Sequence, residues 1–277
     1  MRNVRYQGKS RYEEFLERAR TISEKISTIG GVVGILATGG LGRGFCDDYS
    51  DLDLIVYVEE EKLHVISEYI AVGVRYQRIE IDTPVESFDE ALAQPVPSDY
   101  WSQVIRWDRQ NSQILYDTND RLRGLLQSKL IFPKEERQQI MEKHRNEVEE
   151  KLRFELEMWG ARGDRHNMSH TLRQGVEHLI LWIYAKNREF QPYISKWLFY
   201  HLENGFVPES EHFDQLRDAY TRAMETRDQV RAVQNELVEL CGKIGLEFKY
   251  RDLEDLLSQF DRKWRESSEK TQQYLSW

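Results

Sequence analysis

The feature that most constrains the fold is the segment 32–58, where two apolar runs flank a turn rich in glycine and aspartate. The runs VVGILA and LDLIVYV are short and rich in β-branched residues, which predicts two buried strands. The turn contains Gly39 and Gly40 and ends at Asp51, whereas Asp53 lies inside the second apolar run. A carboxylate among buried apolar side chains is costly without a partner, so this pattern predicts a bound cation.

The spacing of Asp51 and Asp53 suits a divalent metal ion. Alternate side chains of a strand point to the same face, so these carboxylates project together about 6.5–7 Å apart along the chain. Mg²⁺ takes oxygen ligands and keeps substrate phosphates among them, so one ion or a pair of ions fits this position. The alternative is an acidic turn that leads into a strand, which is our interpretation of Asp47 and Asp48.

The turn before the aspartates is predicted to bind phosphate. Gly39 and Gly40 have no Cβ atoms, so their backbone N–H groups can approach a triphosphate closely. Arg43 is the nearest cation and is predicted to hold a β- or γ-phosphate, and Ser50 to contribute a hydroxyl hydrogen bond. The turn therefore predicts a nucleotide-binding site with a metal on its carboxylate side.

Periodicity divides the chain into two predicted domains. Residues 1–131 alternate predicted helices and strands, which indicates an α+β fold on a mixed sheet. Residues 132–277 carry almost only helical periodicity and predict an α-helical bundle of five or six helices, with roles in substrate binding and dimerisation. Within the first domain the pattern predicts helices over 11–28, 61–71 and 87–94 and further strands over 74–85 and 112–117.

Composition excludes several classes of partner and location. The formal net charge of −9, with no Lys/Arg block, disfavours a nucleic-acid partner and is compatible with a cationic small molecule. No run approaches the roughly 20 apolar residues of a membrane span, and the first residues form no secretory signal. Cys46 and Cys241 are far apart and form no CxxC motif, which predicts reduced thiols and a cytoplasmic protein.

The glycine turn followed by SDLDLIVYV resembles the signature of the nucleotidyltransferase superfamily, which has the polymerase-β-like fold. The antibiotic nucleotidyltransferases for aminoglycosides and lincosamides are the most similar branch, since they also place a helical domain after this module. The motif covers about 20 residues, and beyond it the resemblance lies in architecture and scattered short matches. The resemblance implies an NTP, with ATP preferred, and Mg²⁺ held by Asp51 and Asp53.

The resemblance also implies a third carboxylate, a base and a further cation. Glu80 and Asp82 lie on one face of the predicted strand. Glu80 is the preferred third metal ligand, because the similar antibiotic enzymes carry an apolar-Glu-apolar strand at this place, and Asp82 is the second choice, since the strand could end before it. Glu155, on the first long helix of the second domain, matches the expected general base, and Lys196 in PYISKWL is a candidate phosphate ligand. Each of these carboxylates could instead belong to a solvated face.

The predicted activity is transfer of a nucleoside monophosphate to a hydroxyl of a small molecule, with release of pyrophosphate. An aminoglycoside or lincosamide antibiotic is the acceptor that the resemblance implies, and a metabolite is the open alternative. Two other functions are kept: a toxin-type protein or tRNA nucleotidyltransferase, and an inactive interaction protein whose helices mediate homodimerisation. His166 and His170 have metal-compatible i,i+4 spacing, but no HExxH motif or neighbouring cysteine supports zinc.

Overall fold

The structure is a computed structural model that describes residues 9–73 and 81–250, together with single positions at 255, 258 and 262. The predicted third metal ligand Glu80 and most of the strand predicted over 74–85 lie outside these residues. No helix in the described ranges is both long and apolar enough to cross a membrane.

The described strands form one mixed sheet, which confirms the predicted α+β class. Its strands are β1 (Val32–Ala37), β2 (Leu52–Val58), β3 (Ile81–Asp82), β4 (Val85–Ser87) and β5 (Gln113–Asp117). The order is β3-β2-β1-β5, and β4 also pairs with β2. β1 is antiparallel to β2 and β5, whereas β2 runs parallel to β3 and β4.

The described helices are interspersed with these strands as far as β5 and then follow one another along the chain without further described strands. They are α1 (Tyr12–Ser27), α2 (Gly39–Arg43), α3 (Leu63–Gly73), α4 (Phe88–Ala93), α5 (Tyr100–Gln110), α6 (Arg121–Lys129), α7 (Lys134–Glu149), α8 (Leu156–Arg162), α9 (Arg165–Lys186), α10 (Ile194–Trp197), α11 (Tyr200–Glu203), α12 (Phe213–Thr221) and α13 (Arg227–Lys243). Short 3₁₀ turns lie at Glu60–Lys62 and Pro208–His212, and a π-helical segment, Glu150–Glu155, joins α7 to α8.

The chain divides into two compact units whose borders differ from the predicted division at 131/132. Unit 1 consists of Met1–Pro133 and Glu189–Asn204, and unit 2 consists of Lys134–Arg188 and Gly205–Trp277. The difference is the segment Glu189–Asn204, because its helical periodicity placed it with the bundle while its apolar side chains pack in unit 1. Phe190, for example, stacks on Phe132 with ring centroids 4.8 Å apart.

Unit 1 has a hydrophobic cluster on each face of its sheet, as the period-two alternation of β2 requires. Leu52, Leu54 and Val56 are fully buried in a cluster with residues of α1 and α3. Tyr57, on the other face, packs in a cluster with Phe88 of α4 and with residues of α6. Asp53 has the same parity as Tyr57, so its side chain belongs to the second face.

Unit 2 is organised around α9, whose side chains from Leu179 to Ala185 are all buried. The π-helical segment can approach α9 closely because position 175 is glycine: a Cβ there would lie 2.4 Å from Cδ2 of Leu152. A pair of imidazoles also joins α7 to α9, with Nδ1 of His144 lying 2.9 Å from Nδ1 of His178. Burial lowers the pKa of His144 to about 3, and the neighbouring His178 acts in the same direction.

Candidate active site

The aspartate pair lies at the start of β2, as the sequence predicts. Asp51 directly precedes the strand and is exposed, while Asp53 is its second residue and is partly buried. Neither side chain has a hydrogen bond within the described residues, although the Asp53 main chain accepts one from the N–H of Thr38 at 3.0 Å. The carboxylate pair is therefore available to a ligand.

The glycine turn lies directly against Asp53. Gly39 has a φ of 55°, and a Cβ at this position would lie only 1.7 Å from Oδ2 of Asp53. Glycine is required here both for the left-handed backbone and for the space that the carboxylate occupies. The residues predicted as a turn form the short helix α2, which ends at Gly44 with a φ of 90°. Gly40 belongs to the same helix, and a Cβ there would lie 2.8 Å from the carbonyl oxygen of Phe45.

Asp53 is in an environment that disfavours its negative charge. Its pKa is raised from 3.8 to about 6, first because burial desolvates the carboxylate. Asp51, Asp108 and Asp82 raise it further by repulsion, and Arg43 is the cation that lowers it. An added cation at this position would relieve both the burial and the repulsion, which is the fit that a metal site requires.

The third carboxylate that the structure places beside the pair is Asp82, the second choice of the sequence analysis. In the parallel pairing of β2 with β3, Asp53 is directly opposite Asp82. No group of three or more His, Cys, Asp or Glu side chains in the described ranges is already arranged to hold a metal ion. The carboxylate oxygens of Asp51, Asp53 and Asp82 are the type of ligand that Mg²⁺ prefers. The role of Glu80 stays a prediction.

Asp108, on α5, is a site residue that the sequence analysis missed. Its Oδ1 accepts a hydrogen bond from Nη1 of Arg43 at 3.1 Å. Burial raises the Asp108 pKa, while the charge of Arg43 and hydrogen bonds from the Gly39 N–H and the Thr38 hydroxyl oppose that rise. The helical pattern around Asp108 gave no signal, since a carboxylate on an amphipathic helix is ordinary.

Arg43, predicted as a phosphate ligand, is enclosed by aromatic rings. Its guanidinium carbon lies 5.1 Å from the ring centroid of Trp107 and 4.5 Å from that of Trp197. Only 8% of the side chain is exposed, and Nε is buried without a hydrogen-bond partner in the described residues. Arg43 therefore lies at the glycine turn, as predicted, but already holds an anionic partner, Asp108.

The other predicted site residues fall in different places. Ser50 closes the turn, because its hydroxyl donates to Oδ1 of Asp47 and accepts from the Asp47 N–H, both at 3.0 Å. Lys196 is exposed on α10 in unit 1, one residue before the Trp197 that covers Arg43. Glu155 belongs to unit 2, where its Oε1 pairs with Nζ of Lys151 at 2.6 Å.

Unit 1 also contains a cavity of about 480 Å³ on the face of the sheet that carries Tyr57. Charged residues of both signs line it, among them Arg109 and Glu86, which form an ion pair at 2.8 Å. Ile105 and Val96 contribute apolar surface at its margin. The mixture of charges gives this cavity no preference for a polycation.

One known domain family matches part of this chain. The model of a domain family of unknown function, DUF4037, matches residues 90–198, which begin after the glycine–aspartate segment. The curated proteins contain no match.

Two solved structures match a large part of this chain at low similarity. A nucleotidyltransferase-like protein from Exiguobacterium sibiricum is 15% identical, with 82% of this chain and 75% of that chain covered and a TM-score of 0.43. The spectinomycin adenyltransferase AAD(9) from Enterococcus faecialis, solved with ATP and spectinomycin, is 15% identical, with 82% and 98% covered and a TM-score of 0.36. The first description names a nucleotidyltransferase-like protein and the second an adenyltransferase, and at these similarities neither substrate nor activity is carried to this chain.

Proposed function

We propose that this protein transfers a nucleoside monophosphate from an NTP, with ATP preferred, to a hydroxyl of a small molecule. The observation that carries the proposal is the partly buried carboxylate of Asp53, which lies against Gly39 and among Asp51, Asp82 and Asp108 without a hydrogen bond in the described residues. Such a carboxylate is stabilised when a divalent cation binds beside it.

In this proposal Asp51 and Asp53 hold Mg²⁺, with Asp82 or Glu80 as the third ligand. The ion would stabilise charge that develops on the reacting phosphate. The chain's own residues do the positioning: backbone N–H groups of Gly39 and Gly40, together with Arg43, orient the phosphates, and Lys196 is a further candidate. Their role is to hold the α-phosphorus in line with the acceptor hydroxyl.

The reaction forms one bond and breaks one. The acceptor oxygen bonds to the α-phosphorus, the α,β-bridging P–O bond breaks, and pyrophosphate leaves. A carboxylate takes the hydroxyl proton, and Glu155 is our candidate for this base. The test of this base compares transfer by Glu155→Gln with transfer by Glu150→Gln. Glu155 is paired with Lys151, whereas Glu150 is a neighbour whose side chain is 58% exposed.

The deciding experiment follows label from each α-³²P-labelled NTP, with Mg²⁺, into aminoglycosides, lincosamides, tRNA or protein. Wild type is compared with Asp53→Asn and with Asp48→Asn, a control in the same turn whose side chain is 75% exposed. We expect transfer to a small molecule that falls by at least about 100-fold in Asp53→Asn, because a metal ligand is lost, and stays within about twofold in Asp48→Asn.

Other outcomes of this assay would contradict the proposal. Label in tRNA or protein would indicate a toxin-type transferase. Equal transfer by wild type and Asp53→Asn would remove the aspartate pair from the reaction. Binding of NTP without transfer to any acceptor would favour a catalytically inactive interaction protein.

A further inference from the structure

We propose that Asp108 is a built-in competitor of the nucleotide: its carboxylate holds Arg43 beside the glycine turn, and a triphosphate must displace it. Asp108 then sets the affinity for nucleotide and acts through Arg43 as a positioning residue. This inference rests on the proposed function, because the displaced contact is the one that the phosphates would make.

The Asp108 carboxylate lies beside groups that are proposed above to hold phosphate. Its Oδ1 accepts a hydrogen bond from Nη1 of Arg43 at 3.1 Å, and the nearby Gly39 N–H and Thr38 hydroxyl lower its pKa. One anion therefore already occupies the guanidinium that a second anion needs.

The contact between Arg43 and Asp108 uses only part of the hydrogen-bonding capacity of the guanidinium. A guanidinium has five N–H donors and binds carboxylates and phosphates most strongly through two parallel hydrogen bonds. Only Nη1 bonds to Asp108, and Nε is buried without a partner in the described residues. The Arg43 side chain is only 8% exposed, and it makes fewer hydrogen bonds than its N–H groups allow. It can therefore donate further hydrogen bonds to a phosphate oxygen.

The rings of Trp107 and Trp197 hold the Arg43 guanidinium in position. With centroids 5.1 and 4.5 Å from the guanidinium carbon, they restrict its movement to the plane between them. Exchange of partners therefore requires movement of Asp108, whose side chain is 30% exposed, rather than of Arg43. Movement of Asp108 toward solvent would also relieve its repulsion of Asp53.

The opposing interpretation is that Asp108 only supports Arg43. The two interpretations predict opposite signs for Asp108→Asn, since the amide keeps the shape of the side chain and removes its charge. If Asp108 competes with phosphate, the substitution tightens nucleotide binding. If Asp108 only supports Arg43, its loss loosens the guanidinium and weakens binding.

The experiment measures binding of a non-hydrolysable ATP analogue and of inorganic tripolyphosphate, each with Mg²⁺, by calorimetry. Tryptophan fluorescence follows the same titrations, because Trp107 and Trp197 flank the guanidinium. We expect Asp108→Asn to bind both ligands about 5–20-fold more tightly, in the range of one charge-assisted contact. Asp48→Asn, which removes one exposed charge from the same unit, should stay within about twofold of wild type.

Unchanged or weaker binding by Asp108→Asn, with a thermal transition like that of wild type, would overturn the inference while leaving the proposed function intact. Tighter binding by Asp108→Asn with no transfer to any acceptor would support the inference and contradict the proposed transferase activity. Failure of both wild type and Asp108→Asn to bind either ligand would overturn the inference and the nucleotide site together.

Discussion

At the scale of single residues, Asp53 is the position where the fold and the site conflict most. Its neighbours Leu52 and Leu54 are fully buried, so β2 must enter the core at the point where the carboxylate lies. Gly39 leaves the space for that carboxylate, and no side chain in the described ranges neutralises it by a hydrogen bond. Stability is therefore lost at a place where a ligand can restore it.

The raised pKa of Asp53 predicts a pH-dependent gain in stability for Asp53→Asn in the metal-free protein. The folded-state value of about 6 lies above the ordinary 3.8, so the unfolded chain ionises first as pH rises. Wild type then loses stability as pH rises from 3.8 to about 6, the loss stays constant above that range, and the amide shows no such loss. At pH 7.5 in EDTA we expect the variant to be more stable by about 1–2 kcal/mol, and at about pH 4 the gain should vanish.

Urea denaturation at the two pH values measures this difference, and Asp48→Asn is the control. Its exposed carboxylate should give no pH-dependent gain. A gain of equal size at both pH values would show that something other than ionisation causes it. If wild type were more stable than Asp53→Asn at pH 7.5, the raised pKa of Asp53 would be contradicted.

The sequence predicts Asp51 and Asp53 because their pattern is local: two residues of equal parity at the start of an apolar strand. Asp108 could not be found in this way, since its contact with Arg43 spans 65 residues of chain and depends on where α5 lies. The choice between Glu80 and Asp82 rested on the resemblance and on where the predicted strand ends, which period-two alternation leaves open. The structure pairs Asp82 with Asp53, and Glu80 lies outside the described residues.

At the scale of elements, the segments with strong periodicity are predicted well. β1, β2 and β5 and the helices α1 and α4 occupy the predicted places. The helix α2 was interpreted as a turn, because its two leading glycines are poor helix formers and only its tertiary contacts make it helical. The helix α5 carries Trp107 and Asp108 and was not predicted, since two of the three buried residues on this helix, Gln103 and Arg106, are polar and give no apolar periodicity.

The close approach of the π-helical segment to α9 predicts a cost for Gly175→Ala. The new Cβ would lie 2.4 Å from Cδ2 and 2.8 Å from Cγ of Leu152, a side chain that is fully buried and has no free space to move into. We expect a loss of about 1–3 kcal/mol in the free energy of unfolding, measured by urea denaturation.

The matched control is Gly242→Ala on α13 of the same unit. No atom lies within 4 Å of a Cβ at that position, so the substitution should be neutral or stabilising by up to about 1 kcal/mol. Equal effects of the two substitutions would mean that the π-helical segment does not approach α9 as closely as described.

At the scale of the whole molecule, unit 1 is built from two separate stretches of chain. Glu189–Asn204 supplies Phe190, Tyr200 and Trp197, which contact Phe132, Trp107 and Arg43 respectively. Sequence periodicity could not reveal this, because a short amphipathic helix has the same pattern in either unit. A division at 131/132 would separate Trp107 and Arg43 from Tyr200 and Trp197, although it would keep Phe132 with Phe190.

This organisation predicts how fragments behave. Residues 1–133 alone should unfold at a lower urea concentration than the full chain. They should also bind a hydrophobic dye, because Trp107 and Phe132 lose their contacts with Tyr200 and Phe190. The same fragment joined to 189–204 by a flexible Gly/Ser linker of about 20 residues should recover a cooperative transition. A control linker that carries 189–204 in scrambled order should not. Identical transitions for the short and extended fragments would contradict the two-stretch unit.

The imidazole contact of His144 with His178 has a consequence for how hydrogens are distributed. Two Nδ1 atoms 2.9 Å apart can share only one hydrogen between them. Nε2 of His178 lies 3.8 Å from a carboxylate oxygen of Glu147, so the neutral arrangement that satisfies both contacts has a definite direction. If His144 donates from Nδ1, His178 accepts at its own Nδ1 and carries its hydrogen on Nε2, the nitrogen that faces Glu147, so the two rings that join α7 to α9 are opposite tautomers.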